Sequence, residues 1–162
     1  MRTILFKAKR LDNGEWVAGG SIIVFEDNGV KSLFMPQYNE KCDCEHDEIT
    51  DDILSFSNCR FYKVDPDTIC RFTGELDKNG NMIWENDICN YCEDEIEHTD
   101  NCIIRFGDHS FNGDKNIGFF TEWLKFNDIF REDIGFWVEE REIEVIGNIF
   151  DNPELLKGGN NE

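Results

Sequence analysis

Basic residues are scarce in this sequence: 16 lysines and arginines stand against 35 acids, a net charge of −19. A field of that sign repels phosphate backbones and anionic lipid, so nucleic-acid or membrane-surface binding is disfavoured except through a local basic face. The face on offer is small, made of Lys7, Lys9 and Arg10. Long apolar runs are also missing. None approaches the roughly 20 residues of a membrane span, and the opening Met1-Arg2-Thr3-Ile4-Leu5-Phe6-Lys7 breaks into charge before a signal-peptide core can form. A soluble protein that stays in the cytoplasm is expected. Cysteine does not suit a disulfide framework either, because seven is an odd number in an untargeted chain and reduced thiols are the expected state. No G-x-S-x-G elbow, P-loop or H-E-x-x-H occurs, and no repeat of solenoid period is visible.

The 162 residues that are present suit one domain or two small packed β modules, able to bury about two-thirds of their unfolded surface. Fourteen phenylalanines and four tryptophans must supply much of that burial. Charge is uneven along the chain. Residues 1–40 carry five of each sign, residues 41–100 five basic against seventeen acidic (net −12), and residues 101–162 six against thirteen (net −7).

Turn residues punctuate the first third. Asp12-Asn13-Gly14 separates 4–10 from 15–18, and Asp27-Asn28-Gly29 separates 21–25 from 30–34. An Asn-Gly pair supplies the positive φ angles of a type I′ turn, so two hairpins are expected, with Gly19-Gly20 as a bend between them. From 36 to 52 the periodicity vanishes; 40–52 holds seven acids and reads as an exposed acidic loop or short helix. Strands are expected at 53–56, 60–64 and 68–73, with a turn at Asp65-Pro66-Asp67. Asp77-Lys78-Asn79-Gly80 makes another hairpin into 82–84, and Glu85-Asn86-Asp87 turns tightly into 88–92. Beyond an acidic turn at 93–100, residues 102–106 read as a strand and 107–118 as a mobile loop. Residues 119–126 fit a strand or a short helix, and 142–150 alternate as a half-buried strand. Asn152-Pro153-Glu154 places a capping side chain and a preset φ before one helical turn ending at Leu156; 157–162 is a frayed tail. Short strands and tight turns favour a small barrel.

Three stretches together carry a resemblance. They are Ile4-Leu5-Phe6-Lys7-Ala8-Lys9-Arg10 with Asp12-Asn13-Gly14-Glu15-Trp16-Val17; Val64-Asp65-Pro66-Asp67-Thr68 with Phe72-Thr73-Gly74 and Asp77-Lys78-Asn79-Gly80; and Val145-Ile146-Gly147-Asn148-Ile149-Phe150-Asp151-Asn152-Pro153-Glu154-Leu155-Leu156. In this order they resemble the YopX family of bacteriophage and prophage proteins. The resemblance implies a β fold whose later part is similar to an SH3-type barrel, and it brings no catalytic residue to carry over. The expected architecture is mainly β: an N-terminal hairpin module at 1–63 with an acidic loop at 36–52, packed on an SH3-like barrel at 64–156. Family members usually have Gly where Asn86 precedes Asp87, and asparagine can take the same left-handed conformation. Residues 36–58 match none of the family motifs.

Each candidate site also has a plainer role. Cys42, Cys44 and His46 could place three soft ligands together, and Cys89, Cys92 and His98 could supply more. No second C-x-x-C completes a zinc set, and cysteine often serves as a small apolar side chain, so no metal or cofactor is expected. His109 beside Ser110 lies in a glycine-bearing stretch without an evident orienting acid and reads as solvated. Trp16, Phe72, Trp84, Phe106, Trp123 and Trp137 could stack on bases, but acidic neighbours favour core roles. No catalytic residue is assigned. The functional expectation is a phage or prophage accessory protein that binds a protein partner or a second copy of itself without catalysis. In one alternative, carboxylates mimic nucleic-acid phosphates and occupy a host DNA-binding protein; in another, a small enzyme assembles its pocket from distant residues. Hairpin edges could pair between chains, with Lys7 and Lys9 either discouraging that pairing or meeting an acidic neighbour.

Overall fold

The computed structural model describes residues 4–38, 53–56, 59–93, 96–111, 114–124, 133–141 and 143–157. The chain divides into two compact units, 1–71 and 72–162.

Unit 1 opens with β1 (Phe6–Lys9) and β2 (Trp16–Gly19), followed by β3 (Ile23–Asp27), β4 (Val30–Tyr38), β5 (Ile53–Phe56) and β6 (Cys59–Val64). The β3–β4 turn has positive φ at both central residues, 50° at Asn28 and 79° at Gly29, as the Asn-Gly pair predicts for type I′. The first hairpin differs. Beyond the Lys9–Trp16 pair the Arg10 N–H bonds to the Glu15 carbonyl, so the four residues 11–14 make the loop, and only Gly14 is left-handed, at φ 74°. The N–H of Gly14 bonds back to the Arg10 carbonyl and Asn13 stays in ordinary backbone space, so dipeptide identity alone does not set the turn. All pairings are antiparallel, and β3, β4, β6 and β5 lie side by side in that order.

Pro36, expected to begin the acidic loop or short helix, is strand instead. It lies within β4 opposite Phe61, past Phe34, the last β4 residue paired with β3. There β4 has a neighbour on one side, and a missing N–H is tolerated on the unpaired side. The remainder of the expected acidic loop, 39–52, falls outside the described residues. Ala8, Val17, Met35 and Val64 form the core of this unit, flanked by Phe6, Ile22, Leu33, Tyr62 and Ile69. Asp65 accepts from the Asp67 N–H and starts a 3-10 turn at Pro66–Thr68. The Thr68 hydroxyl then takes the Lys9 N–H at 2.8 Å, tying the turn to β1.

The chain passes into unit 2 within β7 (Cys70–Leu76), whose Cys70 and Arg71 pair with β1. Next come β8 (Met82–Trp84), β9 (Asp87–Glu93), β10 (Ile96–Phe111), β11 (Asp114–Trp123), the helix α1 (Ile134–Arg141) and β12 (Glu144–Asn148). β11, β10, β9 and β12 form one antiparallel sheet. No sheet closes into a barrel among the described residues, because β10 and β11 make a long hairpin with ten paired positions, leaving β11 and β12 as edges. Residues 107–118, expected as a mobile loop, are the distal part of this hairpin: Gly107 pairs with Gly118 and Ser110 with Lys115. Residues 96–100, expected in an acidic turn, already belong to β10. Residues 119–123 are strand rather than helix.

The helix has no counterpart in the sequence reading. Its signal is the i, i+3, i+4 spacing of Ile134, Trp137 and Val138, which join the core beside Ile83, Ile104, Trp123 and Ile143. Asp133 starts it by accepting the Gly135 N–H at 2.8 Å. At the far end a 3-10 turn at Pro153–Leu156 appears where one helical turn is expected, but Asn152 makes no capping hydrogen bond. Its Oδ1 instead accepts from the Asn148 N–H at 3.3 Å, closing the turn that follows β12.

Candidate functional site

Period-two alternation on three strands gathers polar side chains at one margin of unit 1. Arg60 and Tyr62, two residues apart on β6, share a face, and Gln37 of β4 is directly opposite Arg60. β2 brings Trp16 and Ala18 alongside, and the loop after β1 adds Arg10. These residues, with Val17, line an open recess of about 480 Å³.

Arg10, Trp16, Gln37 and Tyr62 are held by specific contacts. The Arg10 guanidinium lies 3.8 Å from the Tyr62 ring centroid and grips Asp12 with both arms, Nε to Oδ1 at 2.9 Å and Nη2 to Oδ2; Glu15 is 3.7 Å away. The Arg10 hydrogen bond holds the Asp12 carboxyl below its ordinary value. Lys7 and Lys9, both outward on β1, place their ammonium groups 5.0 and 5.5 Å from the Trp16 ring centroid. The Gln37 amide donates to the Ala18 carbonyl at 2.6 Å and to its neighbour, the Pro36 carbonyl, at 3.0 Å. Arg60 is different: it is half-buried, lines the recess, and its side chain has no ion pair or hydrogen bond among the described residues. The sequence reading singled out Lys7, Lys9, Arg10 and Trp16 but missed Arg60, Gln37 and Tyr62. A basic residue two positions before an aromatic on a strand could have signalled the shared face, but the partners come from other strands.

A second, shallower concavity of about 400 Å³ lies on the β3–β4 hairpin and is lined mainly by Phe25, Val30 and Phe34.

In unit 2 the structure corrects the reading of His109. The residue is not solvated: its side chain is 1% exposed, stacked on Phe120 at 5.3 Å, with Nε2 3.8 Å from Asp133 Oδ2. The acid nearest to it is Asp133, 24 residues further on, but at 3.8 Å it makes no hydrogen bond, and Nε2 has no hydrogen-bond partner among the described residues. Ser110, the next residue on the strand, is exposed and points to the opposite face, so this serine and histidine do not form a nucleophile–base pair.

The candidate metal ligands divide likewise. Cys42, Cys44 and His46 fall outside the described residues, as do the side chains of Cys92 and His98. Cys89 is fully buried and paired across the strands with Cys102. The hydrogen bond with Cys102, with burial, pushes its thiol well above the ordinary value, the reverse of what a thiolate ligand needs. Among the described residues no three His, Cys, Asp or Glu side chains cluster to hold a metal ion. Cys70, Cys89 and Cys102 are buried thiols outside any disulfide. In the native protein they are expected to react with iodoacetamide about a hundredfold or more slower than after unfolding. Mass mapping of the alkylated sites at timed intervals checks this, and rapid native labelling of Cys89 or Cys102 would contradict it.

The aromatic candidates are dispersed. Trp84, Trp123 and Trp137 are buried, Phe72 packs on Trp84 at 5.4 Å, Phe106 is exposed and Trp16 borders the recess. No helix among the described residues is long and apolar enough to cross a membrane.

Fold and site together define a mainly antiparallel β protein with an arginine- and aromatic-lined surface recess. The chain belongs to the YopX family, whose sequence model, described as YopX protein, matches residues 5–157. It is 33% identical over 79 residues to the SPbeta prophage-derived uncharacterized protein YopX of Bacillus subtilis (strain 168). That match covers 49% of this chain and 53% of the other, so the chain spans about half the length of the curated relative it matches. Among solved structures, it is similar to protein EF1440 from Enterococcus faecalis, with 22% identity and a TM-score of 0.47, over 95% of this chain and 98% of that one. Where the family usually has glycine, Asn86 takes a left-handed φ of 68°. Its Oδ1 also accepts from Arg105 at 2.8 Å, a contact glycine could not make.

Proposed function

We propose that this YopX-family chain is a phage or prophage accessory protein acting in the bacterial cytoplasm as a non-catalytic binding module. It engages a protein partner through the recess beside β2. The observation that carries this reading is Arg60, a half-buried residue whose guanidinium has no ion pair among the described residues. A partner supplying an acceptor would give that guanidinium a charge-assisted hydrogen bond that it lacks in the free protein. The divergence of His109 and Ser110 removes the serine–histidine pair that an enzymatic reading would have used first. The DNA-mimic alternative rests on net charge alone. An SH3-like arrangement of 64–156 stays an inference from the short strands β7, β8 and β9, and closing it would require β11 and β12 to meet.

The test is photo-crosslinking in host cells from benzoylphenylalanine placed at Ala18, which is exposed at the recess, or at Lys115, exposed on β11. A discrete protein adduct from position 18 and none from position 115 is expected. Absence of any adduct from position 18 would sink the proposal.

A further inference from the structure

The chemistry of the recess also narrows what it holds. We infer that it takes the side-chain carboxylate of an acidic protein segment, with Arg60 as the principal contact; this rests on the binding-module reading above.

Three observations lead there. Arg60 offers a planar fork of N–H donors that no described carboxylate uses, and that fork matches a carboxylate in two-point geometry. The neighbouring cations are committed differently: Arg10 is neutralised by Asp12 and Glu15, while Lys7 and Lys9 lie over Trp16. One incoming negative charge would therefore meet one uncompensated guanidinium in surroundings with a local excess of cations. The third observation separates carboxylate from nucleotide. Base recognition by stacking needs open ring faces, yet cations already sit over Trp16 and over Tyr62. What remains outward is charge and ring edge, which suits an anionic side chain with a short aliphatic stem.

The net charge of −19 decides the size of the occupant. Charges more than about 8 Å apart are largely screened at physiological ionic strength, so the cations at this margin act over a short range. A short acidic segment can lie within the basic margin, whereas a duplex tracking beyond it meets acid.

The experiment titrates ¹⁵N-labelled full-length protein with an end-blocked hexaglutamate peptide, following the arginine Nε–H and tryptophan indole N–H resonances. Saturable shifts at Arg60 and Trp16 are expected, with binding weakened by added salt. Arg60→Met should weaken binding at least tenfold and Arg60→Lys less, with thermal melts confirming that both variants fold. The wild-type titration decides the matter even if Arg60→Met does not fold. No shift at Arg60 with hexaglutamate overturns the inference. So does equal binding of free glutamate, of hexaglutamine or of a six-residue oligothymidylate, the last making phosphate the ligand. An Ala18 crosslink that persists in Arg60→Met overturns the carboxylate assignment and leaves the binding-module reading standing. Loss of the wild-type crosslink removes the module reading itself.

Discussion

Replacing Asp77 with alanine is expected to cost about 2–3 kcal/mol at neutral pH, and less as the solution is acidified. Asp77 is 5% exposed and its carboxylate closes the β7–β8 turn onto β12. Oδ1 accepts the N–H groups of Asn79 and Asn81 at 2.9 and 2.8 Å, while Oδ2 accepts the Asn81 amide at 3.0 Å and the Val145 N–H at 3.1 Å. Burial alone would raise its titration point. The Asn81 side chain and the three backbone donors outweigh burial and hold it below the ordinary value. A lowered folded value means that the ionised form stabilises the fold above the unfolded value, and that this contribution is lost as pH falls through the folded one. The wild-type protein should therefore begin to lose its advantage over Asp77→Ala only below about pH 4. Urea unfolding of both proteins across that range checks this; a gap that stays constant with pH would show that the carboxylate's charge is not what matters.

Gly147→Ala is expected to destabilise by about 1–3 kcal/mol for a different reason, overpacking. A Cβ there would sit 2.5 Å from Asn152 Oδ1, 2.8 Å from its Cγ and 3.0 Å from its Cβ. Asn152 cannot swing away freely, since its Oδ1 holds the Asn148 N–H. Asn152→Gly alone should cost less, and the double variant should be more stable than Gly147→Ala, because the space is returned. Thermal melts of all four proteins form a cycle. Strict additivity would place the cause elsewhere.

The legible parts of this fold were those decided within a few residues. Asn28-Gly29 specifies its own turn because both residues tolerate positive φ, and β5 and β6 follow from local alternation. Pro36 was misread because its tolerance depends on where β3 stops, a fact about another strand. His109 was misread because the flanking glycines suggest a loop, while ten cross-strand pairs and an acid 24 residues away decide its surroundings. The recess was half legible for the same reason. Lys7, Lys9 and Arg10 are adjacent in sequence, but the register between β4 and β6 places Arg60 opposite Gln37, and no local pattern reports that register.

Gln37 has one further effect. β2 lies at the end of its sheet, where an unclaimed backbone oxygen would invite a stray strand to add on. By occupying the Ala18 oxygen, the amide works as a plug. A newcomer must evict it before zipping up can begin, so accretion along that margin starts uphill even when ribosomes crowd the chain with copies of itself.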